Sequence, residues 1–299
     1  MPVNKFYFIL IAWSRFLLKR IFLLNEIFLS LKEPKEINFD NYILPNCFTR
    51  LYIHVSVAAM AFEVHLLQVI LACLALTFIN TTTSVIIFYL FKQKWFFKNK
   101  LKLNNNEAEK RQIRSEIFQQ ILSNILVIGV ISPILIILTE MGISKIYYDI
   151  NEYPIIWHVI SLIIMLVISD IYVFFCHSIL HSRFMFKNFH KTHHQSTKVN
   201  VFSGHSLDFI ESLLYNLILV VFVVVLPSHI VVYLLFIFIT NLYNYYIHSG
   251  YEILPVKSKF LKYFCTATHH NIHHIKHYQN RGFYTNIWDR LFGFYKKDL

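Results

Sequence analysis

Long apolar runs limit what this chain can fold into more than any other feature. Five stretches, at about 64–91, 118–139, 155–176, 208–226 and 229–247, are dominated by Phe, Leu, Ile and Val. Wound as a helix, even the shortest reaches about 28 Å, close to the thickness of a bilayer's hydrocarbon layer. Only 15% of the 299 residues are charged, against about 25% in soluble domains. That apolar content excludes an extended disordered chain and argues against a soluble globular one. The expected fold class is all-α, an integral-membrane helical bundle of four to six spans arranged in hairpins. The stretch from Phe6 to Leu31, interrupted by Arg15, Lys19 and Arg20, reads as an interfacial helix or a sixth span. No small-residue cleavage pattern follows it, so a removed signal peptide is not expected.

Basic residues set an orientation. Segments 92–117, 140–154, 177–207, the turn at Pro227 and the tail 248–299 hold 8, 1, 4, 0 and 8 Lys and Arg in turn. Alternation of this kind is what the positive-inside rule produces. It places 177–207 and 248–299 together on the cytoplasmic face, as a helical cap at one end of the bundle. The formal net charge of +11 is spread between apolar runs and does not form a separate basic domain, so no nucleic-acid partner is expected. The six glycines form no G-x-G, which excludes a dinucleotide fingerprint and a P-loop. Cys47, Cys73, Cys176 and Cys265 form no C-x-x-C and suggest no disulfide framework.

Histidine is the anomaly. Thirteen of the sixteen lie between His177 and His277, and twelve of those thirteen fall on the one predicted face, His229 being the exception. His177 and His181 are spaced i, i+4, which puts both rings on one side of a helix. Asp170 lies two turns before His177 on that side, where it is expected to back a ligand imidazole. His190, His193 and His194 form H-x-x-H-H, and His270, His273 and His274 repeat it, with His269 a further candidate. His54, His65, His158, His229 and His277 read as structural.

Imidazole suits zinc, copper, iron and nickel. So many grouped rings exceed the needs of one ion, so two metals are implied. A closed structural zinc site needs four ligands, H-E-x-x-H is missing, and 177–207 has no Asp or Glu with which to build the carboxylate-rich pattern of soluble di-iron bundles. Two other readings are a metal-binding or metal-transporting membrane protein and a zinc-dependent membrane hydrolase. A transporter would carry its ionisable ligands mid-span along a pathway, whereas these clusters sit at span ends.

These boxes resemble the fatty acid hydroxylase / sterol desaturase superfamily of histidine-box membrane enzymes. Asp170 and Tyr172 precede the first box as in that family. His205-Ser-Leu-Asp208 is similar to its H-P-x-[DE] element, with Ser206 in place of Pro. His248-Ser249-Gly250-Tyr251 matches its H-S-G-Y, and Asn280-Arg-Gly282 with Trp288-Asp-Arg-Leu-Phe-Gly293 resembles its terminal pattern. Ser178 and Asn271 depart from the family's usual Arg and Asp. The likeness covers about 160–297, which divides the chain into an N-terminal interfacial or transmembrane region, 1–150, and a di-iron membrane domain, 151–299.

The resemblance implies metal ligation by His177, His181, His190, His193, His194, His270, His273 and His274, with His248 as a ninth ligand. It leaves His205 and His269 as ligands or groups that back ligands. It further implies an oxidoreductase, a monooxygenase or desaturase of sterol or fatty-acid metabolism. Such an enzyme uses two iron ions and O2 to oxidise a C–H bond of a sterol-like or fatty acyl lipid. Electrons would come from a separate donor, a cytochrome b5 or a ferredoxin with its reductase, since no flavin or nicotinamide fingerprint is present. Asp289 and Arg290 are expected to form a structural cap at the C-terminus.

Overall fold

The computed structural model describes residues 47–93, 101–103, 108–254 and 261–296, with side chains from Val64 onward. The interfacial helix expected at 6–31 lies outside the described residues. Residues 61–299 form one compact unit, and the described part of 1–60 is helical.

The main helices are α1 (Cys47–Lys92), α2 (Lys110–Glu140), α3 (Ile155–Leu180), α4 (Phe209–Val225), α5 (Ile230–Ile247), α6 (Ala267–Lys276) and α7 (Ile287–Leu291). Four are long and apolar enough to cross a membrane: Val64–Lys92 of α1, and α2, α3 and α5. The stretch expected as a span at 208–226 is α4, whose 17 residues reach only about 25 Å. Their Ile, Val and Phe are middling helix formers in water. In lipid the helix is enforced, because each backbone N–H and C=O must find its partner within the segment.

Outward-facing side chains are apolar. On α3 the exposed residues Ile155, Val159, Ile163, Val167, Phe175 and Ile179 fall at multiples of four positions, a stripe that winds around the helix by about 40° per step. Inward faces carry the polarity, as in α2, whose buried stripe is Glu116, Gln120, Ser123, Val127 and Ile131. A core of Met165, Ile218, Phe222, Tyr233 and Phe236 joins α3, α4 and α5.

Two small ladders mark the ends of the bundle. At one end β2 (Ile146–Tyr147) runs parallel to β3 (Ser228–His229), tying the α2–α3 connection to the α4–α5 turn. There the Trp157 indole donates to the Pro227 carbonyl at 2.9 Å. His229 is buried, with Nε2 3.0 Å from the Tyr148 carbonyl and Nδ1 accepting from the Val231 amide that opens α5. At the other end β1 (Leu101–Lys102) pairs antiparallel with β4 (Tyr251–Glu252). Here α1, α3 and α5 finish, α2 and α4 begin, and the histidine boxes gather.

Candidate metal centre

Each box takes its shape from a local feature of the backbone. The first, His177 and His181, ends α3, with His181 as the C-cap residue. The second follows a π-helical turn, Phe186–His190, which runs into Lys191–His194. A π-turn rotates the residues after it relative to an α-helix, and such turns recur at functional sites. The third lies on α6, opened by a capping box in which Thr266 and His269 satisfy each other's backbone amides. His248 caps the C-terminus of α5.

Nine imidazoles converge in two groups. One nitrogen each from His177, His181, His190, His194 and His273 lies within 4.8 Å of the others, and one each from His193, His248, His270 and His274 does the same. In the first group His181 Nε2 is 3.2 Å from His177 Nε2, 3.1 Å from His273 Nε2 and 3.1 Å from His190 Nε2. His194 Nε2 is 3.0 Å from His190 Nε2. In the second, His270 Nε2 is 2.8 Å from His248 Nε2 and 3.1 Å from His274 Nε2. All but His181 are buried.

The back nitrogens fix the tautomers. His177 Nδ1 is 2.8 Å from the Arg281 carbonyl, His273 Nδ1 faces the Gln279 carbonyl, and His248 Nδ1 is 3.0 Å from the Asn244 carbonyl. His190 Nδ1 is 2.7 Å from the Glu211 carboxylate. A carbonyl or carboxylate oxygen only accepts, so each of these Nδ1 atoms carries the proton and donates. Each Nε2 then presents a lone pair. Three such lone pairs, from His177, His190 and His273, meet the one nitrogen His181 Nε2, which can donate at most one hydrogen. Hydrogen bonding alone therefore leaves the group in mutual repulsion, and a cation at the focus of the nitrogens resolves it. With metal–imidazole bonds of about 2.1 Å, ligands at right angles stand about 3.0 Å apart, which is the spacing found. The residues present fit a pair of metal ions.

Burial keeps these rings in the neutral, unprotonated form that metals need. It holds His190 down at about 3 and His193 at about 4, so both are neutral at ordinary pH. Glu211 supplies the carboxylate nearest the centre. It is fully buried on α4, and its Oε2 finds no hydrogen-bond partner among the described residues.

Three expected residues take other places. His269 lies outside both groups, because Nδ1 is engaged with Thr266 in the capping box and Nε2 points toward the Tyr295 hydroxyl at 3.4 Å. Asp170 does not back an imidazole. Its two oxygens accept from the Tyr284 amide, the Thr285 amide and hydroxyl, and the Trp288 indole, at 2.6–3.0 Å. It thereby anchors the loop whose Arg281 carbonyl receives His177. His205 reaches the centre only through Asn244, whose side chain is 3.3 Å from His205 Nε2 and whose carbonyl takes His248 Nδ1. Asn244 also donates to the Gly204 carbonyl at 2.8 Å. A Cβ at Gly204 would stand 3.0 Å from the Asn244 amide and 3.1 Å from His248 Nδ1.

The terminal motif supports the same centre from behind. Asp289 accepts from the Arg281 and Gly282 amides at 2.7 and 2.9 Å, and at Gly282 a Cβ would sit 2.3 Å from the Thr285 carbonyl. Asn280 adopts φ 54°, a left-handed conformation that Asn tolerates better than most side chains. Glu252, four residues after His248, accepts from the Thr268 amide at 3.1 Å and hydroxyl at 2.8 Å, joining β4 to the start of α6.

Comparison with known proteins follows the same residues. The fatty acid hydroxylase family model matches 162–294, which contains every histidine of both groups. This part of the chain is similar to the fatty acid hydroxylase family. Curated relatives include a lathosterol oxidase of Homo sapiens, 30% identical over 172 residues, 56% of this chain and 56% of that one. A lathosterol oxidase of Rattus norvegicus is 33% identical over 164 residues, 54% of each chain. A Delta(7)-sterol 5(6)-desaturase of Schizosaccharomyces pombe is 30% identical over 156 residues, 50% of this chain and 48% of its own. The chain thus spans about half the length of the curated relatives it matches. No solved structure matches it significantly.

Proposed function

We propose that this chain is a membrane-embedded di-iron oxidoreductase that removes hydrogen from a sterol-like lipid, with desaturation favoured over hydroxylation by the names of its relatives. The observation that carries the reading is the pair of imidazole groups, five nitrogens and four, with lone pairs turned inward. His177, His181, His190, His194 and His273 would hold one ion, and His193, His248, His270 and His274 the other. Iron at these positions supplies the activation of O2 that an unactivated C–H bond requires.

The protein's own share is definite. Arg281, Gln279 and Asn244 carbonyls and the Glu211 carboxylate hold the Nδ1 protons of four rings, which orients their Nε2 atoms and raises their basicity. Burial excludes bulk water from the centre. The exposed apolar stripes of the spans give an apolar substrate a route along the bundle. Forming one C=C bond takes two hydrogens from the lipid. Reducing O2 to two waters takes two further electrons and two protons, so an external electron donor is part of the reading. The distribution of basic segments supports a centre, and a donor, on the cytoplasmic side.

A zinc hydrolase fits less well. Glu211, the one carboxylate touching either group among the described residues, stands behind His190 and away from the focus of the nitrogens. The test is purified protein reconstituted with Fe(II), a reductase-linked donor and a Δ7-sterol in bilayer discs. Stoichiometric O2 uptake with a product two mass units lighter supports the proposal, and a product sixteen units heavier redirects it to hydroxylation. Bound zinc with no O2 uptake overturns it.

A further inference from the structure

The C-terminal segment packs at a depth that a cap resting above the membrane could not reach. The Trp288 indole donates to Asp170 at 3.0 Å, and Asp170 lies ten residues, or about 15 Å, inside the end of α3. The Tyr284 hydroxyl meets Thr240 at 2.6 Å, and Thr240 lies seven residues, about 10 Å, inside the end of α5. Two independent helices therefore report the same result: 284–288 is lowered into the mouth of the bundle.

Its outer edge continues the lipid-facing surface of α3. The Phe292 ring stacks on Phe174 at 5.5 Å and meets Phe175 edge-on at 5.9 Å. Phe175 and Ile179 close the α3 stripe that runs outward from Ile155. Beside them Ile287, Leu291 and Phe292 stand 47, 68 and 49% exposed. The neighbouring cation in α7 is engaged on the protein side, since the Arg290 guanidinium donates to Asn286 Oδ1 and to the Lys262 carbonyl and covers the Tyr295 ring at 3.7 Å. Counted from Ile155, a hydrocarbon layer of about 30 Å takes in twenty residues of α3 and ends near Phe175.

We infer that α7 and Phe292 are seated in the bilayer, at the boundary between acyl chains and headgroups, and that their partner is the lipid leaflet on the histidine side. This goes beyond the proposed reaction and does not depend on it. The seat is connected to the metal centre, because Asp289 of α7 holds the Arg281 and Gly282 amides and the Arg281 carbonyl receives His177 Nδ1.

The test is a nitroxide at Leu291→Cys in discs of palmitoyl-oleoyl phosphatidylcholine, one chain per disc, with Lys187→Cys as the exposed comparator and the unsubstituted chain as the labelling blank. Collision with O2 against a water-soluble nickel chelate reads depth. The expected result at 291 is immersion about 5–10 Å below the phosphates, with the Lys187 label in water. Equal access of nickel to both positions overturns the inference. Should the labelled variant fail to retain metal, a benzophenone side chain at Phe292 gives the same answer. Adducts to phospholipid acyl chains support the seat, and adducts confined to protein or water refute it.

Discussion

At His190 the back nitrogen of the ring donates to Glu211, a carboxylate wholly withdrawn from solvent. Burial lifts this carboxyl to about 8 in the metal-free protein; ionised beside a bound cation, it would make the imidazole a stronger base, and carboxylates so placed are worth roughly 10–100-fold in metal affinity. Glu211→Gln keeps the shape and an acceptor but removes the charge. We expect it to fold, and to lose metal to a chelator about 10–100-fold more readily than the parent, as read by metal content after timed challenge. A second comparison separates neighbours. His270→Ala should empty the four-nitrogen group, whereas His269→Ala should keep both ions and cost about 1 kcal/mol of thermal stability through the lost helix cap. Equal metal loss from both would contradict the two groups. Spacing alone made His190, His193 and His194 legible, because H-x-x-H-H on a helix presents rings one turn apart. It could not separate His269 from His270, since i, i+4 from His273 and i, i+4 to His274 are equivalent patterns. Glu211 was hidden for another reason. Three positions after Asp208 on an apolar helix, its relation to His190 exists only once α4 packs beside the second box.

Elements set the boxes through loops that sequence reading undervalues. Asp170 is on the His177 side of α3, as its spacing of seven requires, yet four donors from 284–288 take its oxygens. A residue seven positions away says nothing about a segment more than a hundred positions later in the chain. Asp170→Ala leaves those donors buried without an acceptor, a loss of about 3–5 kcal/mol by analogy with broken buried charge networks. Because the loop also presents Arg281 to His177, metal retention should fall with stability, as measured by unfolding temperature and metal content on the same sample. Glycines offer a sharper contrast. Gly282→Ala puts a methyl 2.3 Å from the Thr285 carbonyl and 2.8 Å from Asp289 Oδ2, whereas Gly129→Ala meets only Cys73 Sγ at 3.9 Å. The first should abolish accumulation of metal-loaded protein, and the second should leave it unchanged. The sequence marked Asn280-Arg-Gly282 as a motif without a reason. The reason is backbone geometry, a left-handed Asn followed by a glycine against which two other segments close.

For the whole molecule, turning many neutral imidazoles inward makes stability depend on protons and on metal in opposite senses. In the metal-free protein burial holds His190 at about 3, and His193, His205 and His269 at about 4. In the unfolded chain each titrates near its ordinary value of about 6.5. Only the unfolded chain takes up these protons as pH falls below that value. Stability is therefore intact above about 6.5 and is lost progressively as pH drops toward the folded values, each group adding a slope of about 1.4 kcal/mol per pH unit. Asp289 runs the other way. Burial lifts its carboxyl from 3.8 to about 6, so its contribution is present at low pH and lost as pH rises through 6. Glu211, lifted by burial to about 8, opposes the histidines in the same way. Two carboxyls do not offset four histidines joined by His270, His273 and His274, which burial also lowers, and the net expectation is a fall in unfolding temperature between pH 7 and pH 5. Bound metal occupies the lone pairs that protons would take. The loaded protein should be more stable at pH 7 and hold its unfolding temperature to lower pH, until acid releases the ions and the two curves meet. Thermal unfolding in bilayer discs, with and without Fe(II), across that range provides the measurement. A metal-free curve flat from pH 7 to pH 5 would mean that the nitrogens are not buried neutral bases, and the argument for two ions at their foci would lose its footing.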